Sequence, residues 1–315
     1  MSSSISLEDI TKAQARIHGY AYRTPAYRAF SEESVWLKME CFQPVRSFKI
    51  RGAANKILSL TDDQMKRGVI TASSGNHGLA VAYVAHKLKM NATIVLPENA
   101  ILEKKQMIES LGARTVLFGR QQDERMKKAD EIQNSEGLIF IQPFNDIEII
   151  TGQATCGLEL IEDVPELQSV FVPIGGGGLI SGIATAIKLK SNQVRVIGVQ
   201  PEGSPSMYKS LKIGTLSGIE ESHTIADGLS VRKPGDITFS FVKRYVDDIV
   251  LVSDEEIIGA TTQLLKKEHV LAEPSGAAAL AGLLKVRRET GKKERSAAIV
   301  SGANISKEML SKIAQ

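Results

Sequence analysis

SVFVPIGGGGLISGIATAIKL (residues 169–189) joins an apolar, β-branched run to a small-residue helical pattern through four consecutive glycines. A strand that is apolar throughout is typical of a parallel sheet covered by helices on both faces. Four glycines in a row are costly in conformational entropy, and close approach of the backbone to a ligand is the usual reason for them. The stretch therefore predicts a strand, a ligand-contacting turn and a helix.

The same unit of apolar run, turn and helical pattern recurs along most of the chain. Helical patterns such as LAVAYVAHKL (79–88) and DEEIIGATTQLLKKE (254–268) lie between nearly all of the apolar runs. This alternation predicts an α/β fold with mostly parallel sheets flanked by helices. Eight runs are predicted as strands: GVITAS (68–73), ATIVLP (92–97), RTVLFG (114–119), LIFIQP (138–143), SVFVPI (169–174), RVIGVQ (195–200), DIVLVS (248–253) and SAAIVS (296–301).

The length of 315 residues exceeds the usual size of one hydrophobic core, so we expect two lobes. We predict a small lobe, residues 63–146 with four strands, inserted into a large lobe formed by residues 1–62 and 147–315. Ligands of open parallel sheets bind beyond the carboxyl ends of the strands. The turns that follow the strands are therefore where a site is expected.

Composition argues against several classes of protein. The net charge is only +3, and the densest basic run, KVRRETGKKER (285–295), is interrupted by acids, which is typical of an exposed helix end and not of a nucleic-acid surface. The longest apolar run, GAAALAGLL (276–284), is too short to cross a bilayer, and no apolar signal segment opens the chain, so a cytoplasmic protein is expected. Cys41 and Cys156 are expected to be buried free thiols. The five histidines show no metal-ligand spacing, and no metal is predicted.

The glycine turn predicts a phosphate site, because Gly175, Gly176, Gly177 and Gly178 would expose consecutive backbone N–H groups at a helix N-terminus. A helix start packed tightly on its strand is the alternative, although one or two glycines would be enough for it. The G-x-G-x-x-G spacing of dinucleotide sites fails in every register, and the next strand ends in Gln200 where an acid is expected. A cofactor with a single phosphate therefore fits better than a nicotinamide dinucleotide.

A second turn, in TASSGNHGLAVAYVAHKL (71–88), places hydroxyl and amide groups between a strand and a helix. Such groups at a helix N-terminus suit a carboxylate, and a polar cap around an ordinary turn is the alternative.

A third stretch, PVRSFKIRGAANKI (44–57), carries Lys49 beside Phe48 at the start of a helical pattern. A lysine, a phosphate site and a carboxylate site together are what a pyridoxal-phosphate enzyme acting on an amino acid requires.

Five motifs in order resemble fold-type II pyridoxal-phosphate enzymes, which share the tryptophan synthase β-like fold, and among these the serine/threonine dehydratase and serine racemase family. The resemblance covers almost the whole chain. Ala303 departs from the SGGN that family members usually carry. The motifs are SFKIRGA (47–53), SSGNHG (73–78), GGGGLISG (175–182), EPSGA (273–277) and SGAN (301–304).

The resemblance implies a role for each matching residue. Lys49 would bind the cofactor aldehyde and later act as the base, with Phe48 against the pyridine ring and Asn76 on its 3-hydroxyl. Gly175 to Gly178, with the N–H of Leu179, would hold the phosphate, and Ser301 would face the ring nitrogen. Glu273 matches a family acid near the cofactor, with a helix-capping carboxylate as the alternative. The substrate carboxylate would be held by Ser73, Ser74, Asn76 and His77.

The implied reaction is that of an L-threonine/L-serine dehydratase, which converts a β-hydroxy amino acid to a 2-oxo acid and ammonia. The alternative is an amino-acid racemase, acting on serine or an aspartate-type substrate, with dehydratase side activity. Ser74 favours the racemase, as its second acid/base. Phe144 favours the dehydratase, as do Gln200, Ser204 and Ser206 in place of the acids of a racemase metal site.

The resemblance also implies a homodimer and an amino acid as the small-molecule partner. No effector domain is expected after the helix that follows SGAN. Two other classes stay open at this point, a cofactor-binding protein without catalysis and a nicotinamide oxidoreductase. We interpret Arg125, within DERMKKADEI (123–132), as a surface arginine, with a contact to a second substrate carboxylate as the alternative.

Overall fold

Two sheets flanked by helices form the framework of the protein. The computed structural model describes residues 4–73, 75–100, 102–120 and 122–314. Its strands are β1 (Ala26–Arg28), β2 (Val35–Lys38), β3 (Val69–Ala72), β4 (Ala92–Leu96), β5 (Arg114–Leu117), β6 (Ile139–Phe140), β7 (Ser169–Pro173), β8 (Arg195–Pro201), β9 (Asp248–Val252) and β10 (Ser296–Ile299). Its helices are α1 (Leu7–Arg16), α2 (Lys49–Leu58), α3 (Asp62–Arg67), α4 (Asn76–Leu88), α5 (Leu102–Ser110), α6 (Gln122–Glu136), α7 (Ile147–Asp163), α8 (Gly178–Lys190), α9 (Ser206–Ile213), α10 (Asp236–Tyr245), α11 (Asp254–Lys267), α12 (Pro274–Thr290) and α13 (Lys307–Ala314).

The six-stranded sheet has the order β1-β2-β10-β7-β8-β9, and the four-stranded sheet has the order β5-β4-β3-β6. The pairing of β1 with β2 is antiparallel, and the other pairings are parallel. The predicted α/β class is confirmed, and all eight predicted runs contain a strand. The small sheet draws its strands from residues 69–140 and the large sheet from both sides of that segment. The lobe boundaries at residues 62 and 146 stay a prediction.

Helix α7 packs closely against both α2 and α8 through glycines. A Cβ atom added to Gly152 would lie 2.5 Å from the carbonyl oxygen of Arg51, and one added to Gly157 would lie 2.8 Å from the Cα of Ile183. Because α2 begins at Lys49 and α8 begins in the glycine turn, α7 sets the separation between these two features.

A buried cluster of charged side chains connects the start of α2 to strand β2 of the large sheet and to α7. Arg51 donates from Nε to Glu40 Oε2 at 2.7 Å and from Nη1 to Glu159 Oε1 at 2.7 Å. Lys38, at the end of β2, donates to Glu159 Oε2 at 2.8 Å. All four side chains are almost fully buried. The two cations compensate the two carboxylates, which is the condition for burying such charges.

The remaining expectations from composition concern cysteines and membrane spans. Cys41 and Cys156 are buried and free, as predicted. Within the part of the chain that the structure describes, no helix has the length and apolar character needed to cross a membrane.

Candidate active site

The turns singled out in the sequence converge on one cavity of about 250 Å³. Ser74 lies outside the described residues, so its predicted place at this site is not described. The other predicted site residues all line the cavity: Phe48, Lys49, Ser73, Asn76, His77, Gly175, Gly176, Gly177, Gly178, Leu179, Glu273 and Ser301.

Lys49 is the first residue of α2 and enters the cavity beside Phe48. Its Nζ donates a hydrogen bond to the carbonyl oxygen of Pro143 at 2.9 Å and lies 5.3 Å from the centroid of the Phe48 ring. Burial lowers the pKa of Lys49 from 10.5 to about 8, because an ammonium group loses hydration in the cavity. The neutral amine is the form that reacts with aldehydes and accepts protons. Because of the lowered pKa, a much larger fraction of Lys49 than of a surface lysine is in this form.

The glycine turn joins β7 to α8 and exposes a row of donors to the same cavity. No described residue accepts a hydrogen bond from the backbone N–H groups of Gly175 to Leu179, although Gly176 to Leu179 are buried. Buried N–H groups without partners are costly, so this row predicts an acceptor such as a phosphate. The glycines are also required by packing, since a Cβ atom at Gly176 would collide with the ring of Phe144 and Gly177 has a φ of +96°.

The second turn places the N-terminus of α4 at the same cavity. No described residue accepts from the backbone N–H groups of Asn76 and His77, which leaves both available to a carboxylate. The imidazole of His77 is not available in this way. Its Nε2 lies 3.0 Å from the carbonyl oxygen of Ile141, and burial, with the positive charge of Lys49, lowers its pKa to about 3. His77 is thus neutral, and its backbone is the part that this turn offers to an anion.

Asn76 and Glu273 contact each other across the cavity. Nδ2 of Asn76 donates to Oε1 of Glu273 at 2.6 Å. Burial, together with the nearby charge of Asp227, raises the pKa of Glu273 to about 7. Glu273 occupies the N-cap position of α12, but its side chain makes no capping hydrogen bond, so the capping alternative is wrong. Ser301 is buried and donates to the carbonyl oxygen of Ser275 at 3.3 Å.

Three further charged residues also line the cavity: Lys104, Arg125 and Asp227. Arg125 is half-buried, its Nη1 donates to the carbonyl oxygen of Arg120 at 3.0 Å, and burial lowers its pKa, so the surface interpretation is wrong. Nζ of Lys104 lies 3.7 Å from Oδ2 of Asp227. No local pattern marks these residues, because only the tertiary fold brings them to the site.

Gln200 and Ser206, which stand at the positions of the acids of a racemase metal site, form hydrogen bonds within the protein. Oε1 of Gln200 accepts from the N–H of Tyr208 at 2.8 Å, and Oγ of Ser206 donates to the carbonyl oxygen of Val231 at 2.7 Å. Among the residues that the structure describes, no group of three or more His, Cys, Asp or Glu side chains is arranged to hold a metal ion.

Comparison with known proteins assigns the family. The family model described as "Pyridoxal-phosphate dependent enzyme" matches residues 18–302. The chain belongs to this family. The predicted cofactor, pyridoxal phosphate, is thereby confirmed, and so is the resemblance on which it rested.

Individual relatives align over nearly the whole chain. The L-threonine ammonia-lyase of Thermotoga maritima is 46% identical over 98% of this chain and 78% of its own length. A catabolic L-threonine dehydratase of Escherichia coli (strain K12) is 40% identical over 98% of this chain and 96% of its own length. The solved structure of maize serine racemase is 36% identical, with a TM-score of 0.94 over 98% of this chain and 97% of that one.

Proposed function

We propose that this protein is a pyridoxal-phosphate-dependent L-threonine/L-serine ammonia-lyase, which converts a β-hydroxy amino acid to a 2-oxo acid and ammonia. The observation that carries the proposal is that Lys49, with its lowered pKa, lines one cavity together with a row of buried N–H groups that have no acceptor among the described residues. The identities of 46% and 40% to an L-threonine ammonia-lyase and an L-threonine dehydratase support the same reaction.

The lining of the cavity fits the cofactor. The amine of Lys49 suits the aldehyde, and the N–H groups of Gly175 to Leu179 suit the phosphate. Phe48 offers an apolar surface to the pyridine ring, and Ser301 offers a neutral hydroxyl to the ring nitrogen. Bound pyridoxal phosphate supplies an electron sink that stabilises negative charge at the substrate Cα.

The substrate carboxylate is held at the N-terminus of α4, by the hydroxyl of Ser73 and the N–H groups of Asn76 and His77. This contact orients the Cα–H bond toward Lys49, whose neutral Nζ takes the proton. The electron pair of that bond then forms the Cα–Cβ double bond as the Cβ–O bond breaks, and the β-hydroxyl leaves as water with the proton that Lys49 took from Cα. Water re-enters when the enamine product hydrolyses, so the net products are the 2-oxo acid and ammonia.

A serine racemase is the second candidate, favoured by the likeness to the maize enzyme. Racemisation requires an acid/base on the face of Cα opposite Lys49, and Ser74, the residue predicted for it, lies outside the described residues. The packing of Phe144 against the glycine turn and the internal hydrogen bonds of Gln200 and Ser206 support the lyase.

The test is one incubation of the holoenzyme with L-threonine and, separately, with L-serine, in which the 2-oxo acid and the D-amino acid are measured together. Abundant 2-oxo acid with little D-isomer is expected. Fast formation of D-serine would favour the racemase, and neither product from either substrate would contradict the proposal. Lys49→Ala, which removes the amine, is the control and is expected to form neither product.

We further propose that the protein acts as a homodimer, as its family resemblance implies, and in the cytoplasm, which the two buried free thiols support. Sedimentation of the holoenzyme at twice the mass of the 34.2 kDa chain is the expected result. A single chain in solution would contradict the dimer.

A further inference from the structure

Two asparagine side chains form a short hydrogen-bonded chain that ends at the cavity. Nδ2 of Asn304 donates to the carbonyl oxygen of Val45 at 2.9 Å and to Oδ1 of Asn76 at 2.7 Å. Nδ2 of Asn76 donates to Glu273 at 2.6 Å, and its second N–H has no acceptor among the described residues. The series therefore links a backbone carbonyl outside the cavity to an amide that lines it.

The backbone carbonyl of Val45 decides which way both amides point. A carbonyl oxygen can only accept a hydrogen bond, so the group of Asn304 that faces it must be the NH₂ group. Reversing Asn304 would place oxygen against oxygen at 2.9 Å. The same NH₂ group faces Asn76, which must present its own oxygen to Asn304 and its NH₂ group to the cavity.

Glu273 does not impose this orientation by itself. Its pKa is raised to about 7, so the carboxyl is present in both protonation states near neutral pH. The ionised carboxylate only accepts hydrogen bonds, whereas the protonated carboxyl also donates one and would tolerate a reversed Asn76. The carbonyl of Val45 only accepts hydrogen bonds at every pH. It therefore fixes the orientation of Asn304, and Asn304 in turn fixes the orientation of Asn76.

We propose that Asn304 is a positioning residue, which holds the NH₂ group of Asn76 toward the cavity so that it donates to the 3-oxygen of bound pyridoxal phosphate. The inference rests on the proposed function and on the role that the family resemblance implies for Asn76, as the partner of that oxygen. Donation from an N–H group stabilises the ionised 3-oxygen, whereas a reversed amide would offer its carbonyl and favour the protonated 3-hydroxyl. Asn304 would thus control the ionisation of the cofactor without touching it.

The test uses the absorption spectrum of the holoenzyme, in which forms with an ionised and a protonated 3-oxygen give separate bands. Asn304→Asp keeps the size of the side chain but turns an oxygen toward Asn76. We expect the band ratio to shift about tenfold toward the protonated form, the order expected for losing a hydrogen bond to a charged group. Asn304→Ala, which leaves Asn76 free to adopt both orientations, should shift the ratio less in the same direction.

Two further variants make the result specific. Asn55→Ala is the matched control, because Nδ2 of Asn55 also donates to a backbone carbonyl, that of Glu148 at 2.7 Å, and Asn55 does not line the cavity. It should lower stability and leave the band ratio unchanged. Asn76→Ala tests the role of Asn76 directly and should shift the ratio toward the protonated form.

The outcomes separate the assignments. A ratio that shifts in Asn76→Ala but in neither Asn304 variant would overturn the role of Asn304. A ratio unchanged in Asn76→Ala would overturn the role of Asn76 and this inference with it. A shift in Asn55→Ala equal to that of the Asn304 variants would show that the ratio responds to any loss of stability, and would also overturn the inference. The spectrum requires only the bound cofactor, so a failure of the proposed lyase reaction would be seen separately, in the product assay.

Discussion

The side chain of Lys49 shows how burial alone prepares a residue for chemistry. Its pKa of about 8 is attributable to the hydration that the ammonium group loses in the cavity. At neutral pH about a tenth of such an amine is uncharged, compared with less than about a thousandth of a lysine in water. The fold therefore supplies the reactive form of Lys49 before the cofactor arrives.

The first prediction concerns the pH dependence of cofactor loading. Below its pKa, Lys49 is protonated and cannot attack the aldehyde, so the rate at which apoenzyme forms the imine should rise with pH and level off above about 8. Stopped-flow absorbance after mixing apoenzyme with pyridoxal phosphate measures this rate. A rate that keeps rising to the pKa of an ordinary lysine would contradict the account.

Glu273 allows a second prediction, on stability. Its pKa in the folded apoprotein, about 7, exceeds its usual 4.5, so the folded state binds the proton more tightly and loses stability as pH rises between these values. Glu273→Gln keeps an acceptor for Asn76 and has no proton to lose. The free energy of unfolding of the variant relative to wild type should therefore increase by roughly 2–3 kcal/mol from pH 5 to pH 8.

Urea unfolding of both apoproteins at the two pH values measures this difference. Comparing variant with wild type at each pH cancels the other titrating groups. An equal difference at pH 5 and pH 8 would show that Glu273 titrates normally.

At the scale of elements, the sequence predicted the eight strands with apolar, β-branched runs but not β1 and β2. Strand β2 has four residues and ends in Lys38, a charged residue that is fully buried. Its burial is possible because Glu159, 121 positions further along the chain, neutralises it. No local pattern contains that partner, which is why the strand was missed.

For the candidate site, too, the sequence predicts the residues in local motifs but not the contacts that depend on tertiary packing. Lys49 and the glycine turn are marked by local sequence, because a helix start and a glycine run are local features. The contact of Asn304 with Asn76 and the position of Arg125 in the cavity lining come from tertiary packing, which no local pattern predicts. His77 was expected at the carboxylate site without distinction between ring and backbone, and its ring is turned to the carbonyl of Ile141, which adjacent residues do not indicate.

The contact between α7 and α2 gives the third prediction. In Gly152→Ala the new methyl group would meet the backbone of Arg51 at 2.5 Å and of Gly52 at 2.7 Å, and backbone cannot move aside easily. We expect a loss of roughly 1–3 kcal/mol in the free energy of unfolding, together with lower activity because α2 carries Lys49.

Gly259→Ala is the matched control for this contact. Gly259 lies within α11, and a Cβ atom there would meet nothing within 4 Å. Alanine should stabilise this helix by about 0.5–1 kcal/mol. Equal effects of the two substitutions in urea unfolding would mean that the α7–α2 contact does not constrain the fold.

At the scale of the whole molecule, the cavity is lined by turns that follow strands of both sheets. The turn with Asn76 follows β3 of the small sheet, and the glycine turn follows β7 of the large sheet. Lys49 begins α2, which is fixed to the large sheet by the buried cluster of Arg51, Glu40, Glu159 and Lys38. The proposed cofactor site and the proposed carboxylate-binding turn therefore belong to different sheets, and the cavity is complete only when the two sheets are packed together.

The central proposal is that Lys49, which lines the same cavity as the glycine turn, is the amine that binds pyridoxal phosphate. The cavity contains a second lysine, Lys104, which makes the claim directly testable. Reduction of the holoenzyme with borohydride fixes the cofactor to the lysine that carries it, and peptide mapping by mass spectrometry identifies that lysine. The account predicts the label on Lys49, with none in Lys49→Ala. A label on Lys104, or one that persists in Lys49→Ala, would contradict it.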